Sequence, residues 1–162
     1  MENQKTAPIL KSVKPIRFLY FEVTTTLAEL HALVGNVVER LYEDAAEQKL
    51  FVGGPAYWNY FNFTTVDKPF DLEICLPLAK APASYNGKFQ IKTSKPFQCI
   101  SYFHDGSWEK LSDSYTLLRD YIEEQKLPRT GESREVYVNI NFEDAEANRR
   151  IVPEGVIFPA RQ

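Results

Sequence analysis

An internal repeat constrains this chain more than any other feature. Glu47-Gln48-Lys49-Leu50 returns as Glu124-Gln125-Lys126-Leu127, 77 residues later. The same shift lays Gly54 on Gly131, Trp58 on Glu135, Tyr60 on Tyr137 and Asn62 on Asn139. Lys-Pro steps at 14–15 and 95–96 break the chain between strand-like runs in each half. A tetrapeptide matched in register with the order of elements points to one supersecondary unit used twice. The units are expected over about 9–80 and 86–160 of a single domain covering 9–162, behind a flexible tail at 1–8. The shift changes at the helix entry and in the last loop, as insertions and deletions after a duplication would make it.

Each unit reads as ββαββ. In the first, Ile9 to Lys14 and Ile16 to Val23 favour strands. A helix follows, with Leu27, Leu30, Val34, Val37, Val38, Leu41 and Ala45 on one stripe. Thr26 and Glu29 have the spacing of a capping box at its start. Strands through Trp58 and over Phe70 to Leu78 complete the unit. In the second, strands are expected at Lys88 to Thr93 and Phe97 to Phe103. His104 to Ser107 turns the chain, with His104 at the surface and Ser107 an N-cap. The second helix puts Trp108, Leu111, Tyr115, Leu118 and Ile122 on one stripe, and strands through Val136 and at Val156 to Pro159 follow. Short turns between strands favour antiparallel pairing. The fold class is therefore α+β, two pseudo-symmetric repeats with two main helices and a central groove where equivalent strands meet.

Side chains alternate along a strand. In Gly131 to Asn139, Val136 and Val138 therefore share a core-forming face, while Glu135, Tyr137 and Asn139 share the other. Trp58 and Tyr60 are their counterparts in the first unit. A lone Glu on a strand is commonly a solvated charge, but a large aromatic at the equivalent position argues for a covered face. A carboxylate among aromatic rings would welcome a cation, which gains from both. Tyr60 and Tyr137 suit either core or site. Trp58 and Trp108 suit either packing or a ligand platform.

Charge and composition exclude several classes. A net charge of −3 gives no electrostatic footprint for nucleic acid, and no helix-turn-helix or zinc-finger pattern is present. Cys75 and Cys99 lie in separate apolar runs and read as buried thiols. Asp67, Asp71 and Glu73 read as loop and strand-edge charges rather than a metal cage. Gly53-Gly54-Pro55 lacks the Lys-Ser/Thr of a phosphate-binding loop, so neither cofactor nor metal is expected. With no membrane span and no signal-peptide core, a cytoplasmic protein is expected.

The run His104-Asp105-Gly106-Ser107-Trp108-Glu109-Lys110-Leu111, then Arg134-Glu135-Val136-Tyr137, then a terminal strand ending at Pro159, resembles the GyrI-like small-molecule-binding domain. This is the effector-binding domain of bacterial transcription activators. It is found alone, in gyrase-inhibitory proteins, and attached to MerR- and AraC-type regulators. The resemblance covers about 9–159. It implies two pseudo-symmetric halves around a central groove, with Glu135 at the position whose carboxylate attracts cationic, apolar drugs. Some members of this architecture hydrolyse cyclopropane-containing toxins with groove carboxylate and aromatic residues. The sequence departs from the pattern at Trp108, where many members carry Tyr, and in the long charged loop over 141–151.

The expected function is thus a stand-alone effector-binding domain for a small apolar, cationic or polycyclic compound. Its ligand contacts would be Glu135, Tyr137, Trp58, Tyr60 and Trp108. The alternatives are a hydrolase of the toxin-removing type, with Glu135 and Tyr137 as its catalytic pair, and a protein that binds gyrase or a regulator. Any effect on transcription would pass through another chain, since no DNA-binding motif accompanies the domain.

Overall fold

Period-two apolar alternation forms strands in this chain, and the strands gather into two compact units, one of residues 14–96 and one joining the N-terminal residues up to 13 to those from 97 onward. The computed structural model describes residues 7–65, 67–107, 110–139, 149–151 and 153–156. In chain order the elements are β1 (Ile9–Val13), β2 (Arg17–Thr25), α1 (Leu30–Val34), α2 (Val37–Glu47), β3 (Tyr57–Phe61), β4 (Phe70–Pro77), β5 (Gln90–Thr93), β6 (Phe97–Ser101), β7 (Phe103–Asp105), α3 (Leu111–Glu124), β8 (Arg129–Asn139), β9 (Arg149–Ile151) and β10 (Glu154–Val156). The paired strands described within each unit are antiparallel, and the class is α+β.

In the unit of 14–96 the strand order is β3-β4-β2-β5. On β4, Leu72, Ile74 and Leu76 point to one side and are fully buried, with Leu19 of β2 and Val37, Leu41 and Ala45 of α2 in the same core. Burying a Leu side chain stabilises by about 1.5–3 kcal/mol relative to leaving it exposed. In the other unit the order is β8-β10-β6-β1, with β9 joining β8 to β7. Its core packs Ile100 of β6 and Tyr102 against Leu118 and Ile122 of α3, flanked by Tyr115 and Leu127. Gly155 of β10 must be glycine. A Cβ there would sit 2.7 Å from the Glu132 carbonyl oxygen and 2.9 Å from the Phe97 ring, and would collide with the Thr130 hydroxyl.

The repeated Glu-Gln-Lys-Leu is a helix stop. After α2, Lys49 adopts a left-handed φ of 57°, and after α3, Lys126 adopts 55°. The Leu50 N–H donates to the Ala45 carbonyl at 2.8 Å and Lys49 to Ala46 at 3.2 Å; Leu127 donates to Ile122 at 3.2 Å and Lys126 to Glu123 at 3.0 Å. This is the Schellman pattern, and it satisfies carbonyls that the helix end leaves open. Leu50 and Leu127 then fold back onto the two cores. Physical chemistry thus explains why this tetrapeptide recurs in register.

Several expectations need correction. The first helix is not continuous from the Thr26 box to Ala45. It is interrupted at Gly35-Asn36, where Asn36 leaves helical geometry at φ −129°. Glycine inside a helix costs about 1 kcal/mol relative to alanine, which makes this the weak point. The Thr26 hydroxyl does accept from the Glu29 N–H, at 3.4 Å. The valine face is only half a core: Val136 is buried while Val138 is 46% exposed. Ser107 is not the cap of α3. Lys110 precedes its first residue and makes no side-chain capping bond. Glu73 is no strand-edge charge, since it is buried in the central strand β4. The outer strands are also exchanged relative to the sequence repeats. β1 pairs with β6 of the second half, and β5 pairs with β2 of the first. Most of the expected tail, the loop over 141–148 and the terminal strand at 157–159 lie outside the described residues.

Candidate functional site

β8 and α3 build the site. Gly131 opens the working part of β8 with φ 88°, a backbone that glycine adopts without a Cβ penalty. Two residues apart on one face, Glu135 and Tyr137 then point the same way. Glu135 is 5% exposed. Its two oxygens accept separate phenolic hydrogen bonds, Oε1 from the Tyr115 hydroxyl of α3 and Oε2 from the Tyr137 hydroxyl, both at 2.7 Å. The Arg119 guanidinium lies 5.8 Å from the Tyr115 ring centre. The other face of β8 is occupied by Arg134. It is 2% exposed, lies 3.9 Å over the Phe97 ring and pairs with Glu132 at 3.0 Å.

α3 is fixed to the sheet one residue before Tyr115. Ser114 Oγ is 2.8 Å from His104 Nδ1, and His104 Nε2 is 2.8 Å from the Ser107 carbonyl. The carbonyl can only accept, so Nε2 donates to it, and Nδ1 pairs with the serine hydroxyl, which can donate or accept. His104 is therefore not a surface turn residue. It is 3% exposed on β7 and ties that strand to the helix that holds Tyr115.

The expected site residues fall as follows. Glu135 and Tyr137 come together as read. Trp58 and Tyr60 stand in the unit of 14–96, half-buried against its helix-side core, with Tyr60 5.6 Å from the Phe70 ring. Trp108 lies outside the described residues. The sequence reading missed Tyr115, assigning it to the apolar stripe of its helix. The signal was available: a half-buried tyrosine hydroxyl needs a polar partner, and a strand carboxylate was the group in want of one. In the same unit as Trp58, Asp44 of α2 is buried and accepts from the Tyr85 hydroxyl at 2.6 Å and from the Lys88 N–H at 3.1 Å. Burial and this bond push the Tyr85 phenol up to about 12. Cys75 and Cys99 are both free and buried, and burial pushes the Cys99 thiol up to about 11.

Comparison with known proteins gives a consistent picture. The model of the GyrI-like small molecule binding domain matches residues 6–151. No curated protein sequence matches the chain. Among solved structures, the C-terminal domain of EcmrR superposes with a TM-score of 0.76 at 15% identity, covering 93% of this chain and 96% of that one. In the complex of full EcmrR with DNA the figures are 0.74 and 18%, and the match covers 92% of this chain but only 56% of EcmrR. The protein SAV2435, solved bound to tetraphenylphosphonium, gives 0.64 at 13% identity, covering 94% of each chain. A hydrolase encoded by lin2189 from Listeria innocua gives 0.69 at 15%, covering 96% of this chain and 94% of that one. At these identities the likeness speaks for the fold.

Proposed function

The chain belongs to the GyrI-like small molecule binding domain family, and from that premise we propose that it binds a small, apolar, cationic or polycyclic compound at Glu135 for sensing or sequestration. One observation carries this reading: a carboxylate 5% exposed, with tyrosine hydroxyls among its hydrogen-bond donors. Taking a carboxylate out of bulk water costs hydration. A delocalised cation repays that cost through the carboxylate and, where it meets the ring faces, through cation–π attraction of about 0.5–2 kcal/mol. Tyr137, Trp58, Tyr60 and Trp108 are the further residues proposed to meet the ligand, joined by Tyr115. Tetraphenylphosphonium, the compound held by SAV2435, is the natural first probe. Calorimetry should show it binding the native chain and binding Glu135→Gln roughly tenfold or more weakly, since a desolvated charge contact is worth at least about 1.4 kcal/mol. Unchanged affinity in the variant would end the charge role. A cytoplasmic setting and a protein partner, a regulator or gyrase, belong to the same proposal.

The 2.7 Å bond between Tyr137 and Glu135 also favours a second reading. Glu135 could activate water while Tyr137 serves as proton donor, as general acid–base chemistry requires of groups in hydrogen-bond reach. The substrate class would be a strained electrophile such as a cyclopropane-containing toxin, and the fold shared with the Listeria innocua hydrolase supports testing it. Product release from such a substrate, abolished in Glu135→Ala, would establish turnover. Intact substrate after prolonged incubation with native protein would remove this reading and leave binding.

A further inference from the structure

The sheet of residues 14–96 has a second face, turned away from α2. Leu72, Ile74 and Leu76 of β4 go to the helix side, so Asp71, Glu73 and Cys75 go to the other. Strand register places Glu22 and Asn59 on either side of Glu73, and Thr24 and Phe61 on either side of Asp71. The middle of this face is polar and buried: Asn59 is 2% exposed and Glu73 6%. Glu73 Oε2 takes the Lys92 ammonium, which also lies 4.5 Å over the Tyr20 ring. The other carboxylate oxygen, Oε1, and the amide oxygen of Asn59 are both buried and accept no hydrogen bond. Asn59 directs its amide N–H to Cys75 Sγ at 3.7 Å. An unmet buried acceptor costs about 1–3 kcal/mol, and more when charged. Two of them side by side call for a donor from outside the chain.

Glu73 also lines an open concavity of about 570 Å³, together with Glu22, Thr24, Phe61 and Asp71. The Thr24 hydroxyl donates to Asp71 at 2.6 Å, which fixes one rim carboxylate. Three carboxylates face one ammonium here, and Glu22 and Glu73 sit directly opposite each other, a like-charge pairing that destabilises a sheet. The missing group is therefore cationic and rich in N–H donors. A primary ammonium supplies three donors on a compact head. Its methylene stem suits the Phe61 ring, and a second ammonium suits the rim at Glu22 or Asp71.

The geometry points to a second ligand site on this face, for a linear polyamine whose leading ammonium donates to Glu73 Oε1 and Asn59 Oδ1. A phosphonium or quaternary ammonium has no N–H to give and does not answer the unmet acceptors. The site is thereby separate in chemistry from the one proposed at Glu135. Among the described residues no group of three or more His, Cys, Asp or Glu side chains is placed to hold a metal ion, which leaves an organic donor as the better match.

Spermidine at low ionic strength is the probe, titrated into the full chain by calorimetry and by side-chain amide NMR. The expected result is one bound equivalent, with the Asn59 side-chain amide signals shifting as it binds. Glu73→Gln should weaken binding about tenfold or more. Should that variant fold poorly after losing its bond to Lys92, the exposed rim variants Glu22→Gln and Asp71→Asn keep the test open. Each should cost about threefold, in the range of exposed ion pairs. Glu135→Gln should leave spermidine affinity unchanged. The proposal fails if millimolar spermidine leaves the Asn59 signals in place, because a trapped water or a turned amide then fills the acceptors. It also fails if both rim variants bind at full strength, or if Glu135→Gln abolishes binding.

Discussion

Glu135 shows what a single residue can reveal and conceal. Its strand position and its aromatic counterpart Trp58 make it visible in sequence as a covered carboxylate. Its second phenol, Tyr115, comes from a helix 20 residues earlier and is invisible until that helix is laid on the sheet. Glu73 concealed more. In sequence it stands among Asp67, Asp71 and Lys68 and reads as a wet charge, yet its strand is central and its own side chain is buried. Tyr85 gives a residue-scale prediction with a definite sign. Its phenol is pushed up to about 12 by burial and by its bond to Asp44, from an ordinary value of 10.0. The folded state therefore holds a proton that the unfolded chain releases first. Stability from this group is complete below pH 10 and is lost as pH rises toward 12. Urea midpoints measured across that window should fall more steeply for the native chain than for Tyr85→Phe. Parallel slopes would contradict the assignment.

At the scale of elements, alternation and turn chemistry revealed most strands to within a residue or two. β1, β2, β4 and β5 all lie where apolar periodicity and the Lys-Pro breaks put them. What periodicity could not show was which strands pair. β1 joins β6 across nearly 90 residues of chain, and sequence patterns carry no record of such partners. The break between α1 and α2 was legible in principle at Gly35-Asn36, but the apolar stripe ran straight through it and outweighed the glycine. The helix stops are the reverse case. The repeated tetrapeptide was read as a mark of duplication and proves to be a shared Schellman turn, with lysine in left-handed geometry at 57° and 55°. A left-handed non-glycine residue costs about 1–2 kcal/mol, partly offset by the backbone entropy that glycine loses on folding. Lys126→Gly should therefore stabilise the chain, by about 0.5–1 kcal/mol, seen as a higher denaturant midpoint with an unchanged slope. A lower midpoint would mean that the lysine side chain contributes more than its backbone geometry costs.

For the whole molecule, the sequence supplied the family and the α+β class, because short motifs and a repeat survive where overall identity does not. Solved relatives at 13–18% identity still share the fold. Among the described residues no helix is long and apolar enough to cross a membrane. The two faces of the sheets hold different chemistry. Glu135 sits on the helix side of its sheet, bonded to two phenols, and Glu73 on the opposite side of its own sheet, opposite an amide. Under the two proposals the Glu135 face takes delocalised cations and the Glu73 face takes N–H donors, and each is silenced by its own substitution.

Glu135 as the anchor of a cation site is best checked by a crystal structure of the chain grown with tetraphenylphosphonium. The phosphonium is expected beside the Glu135 carboxylate, with the Tyr115 or Tyr137 ring against a phenyl group and its ring centre within about 6 Å of the cation, the range of cation–π attraction. A cation bound elsewhere, with no part of it against Glu135, would overturn the assignment.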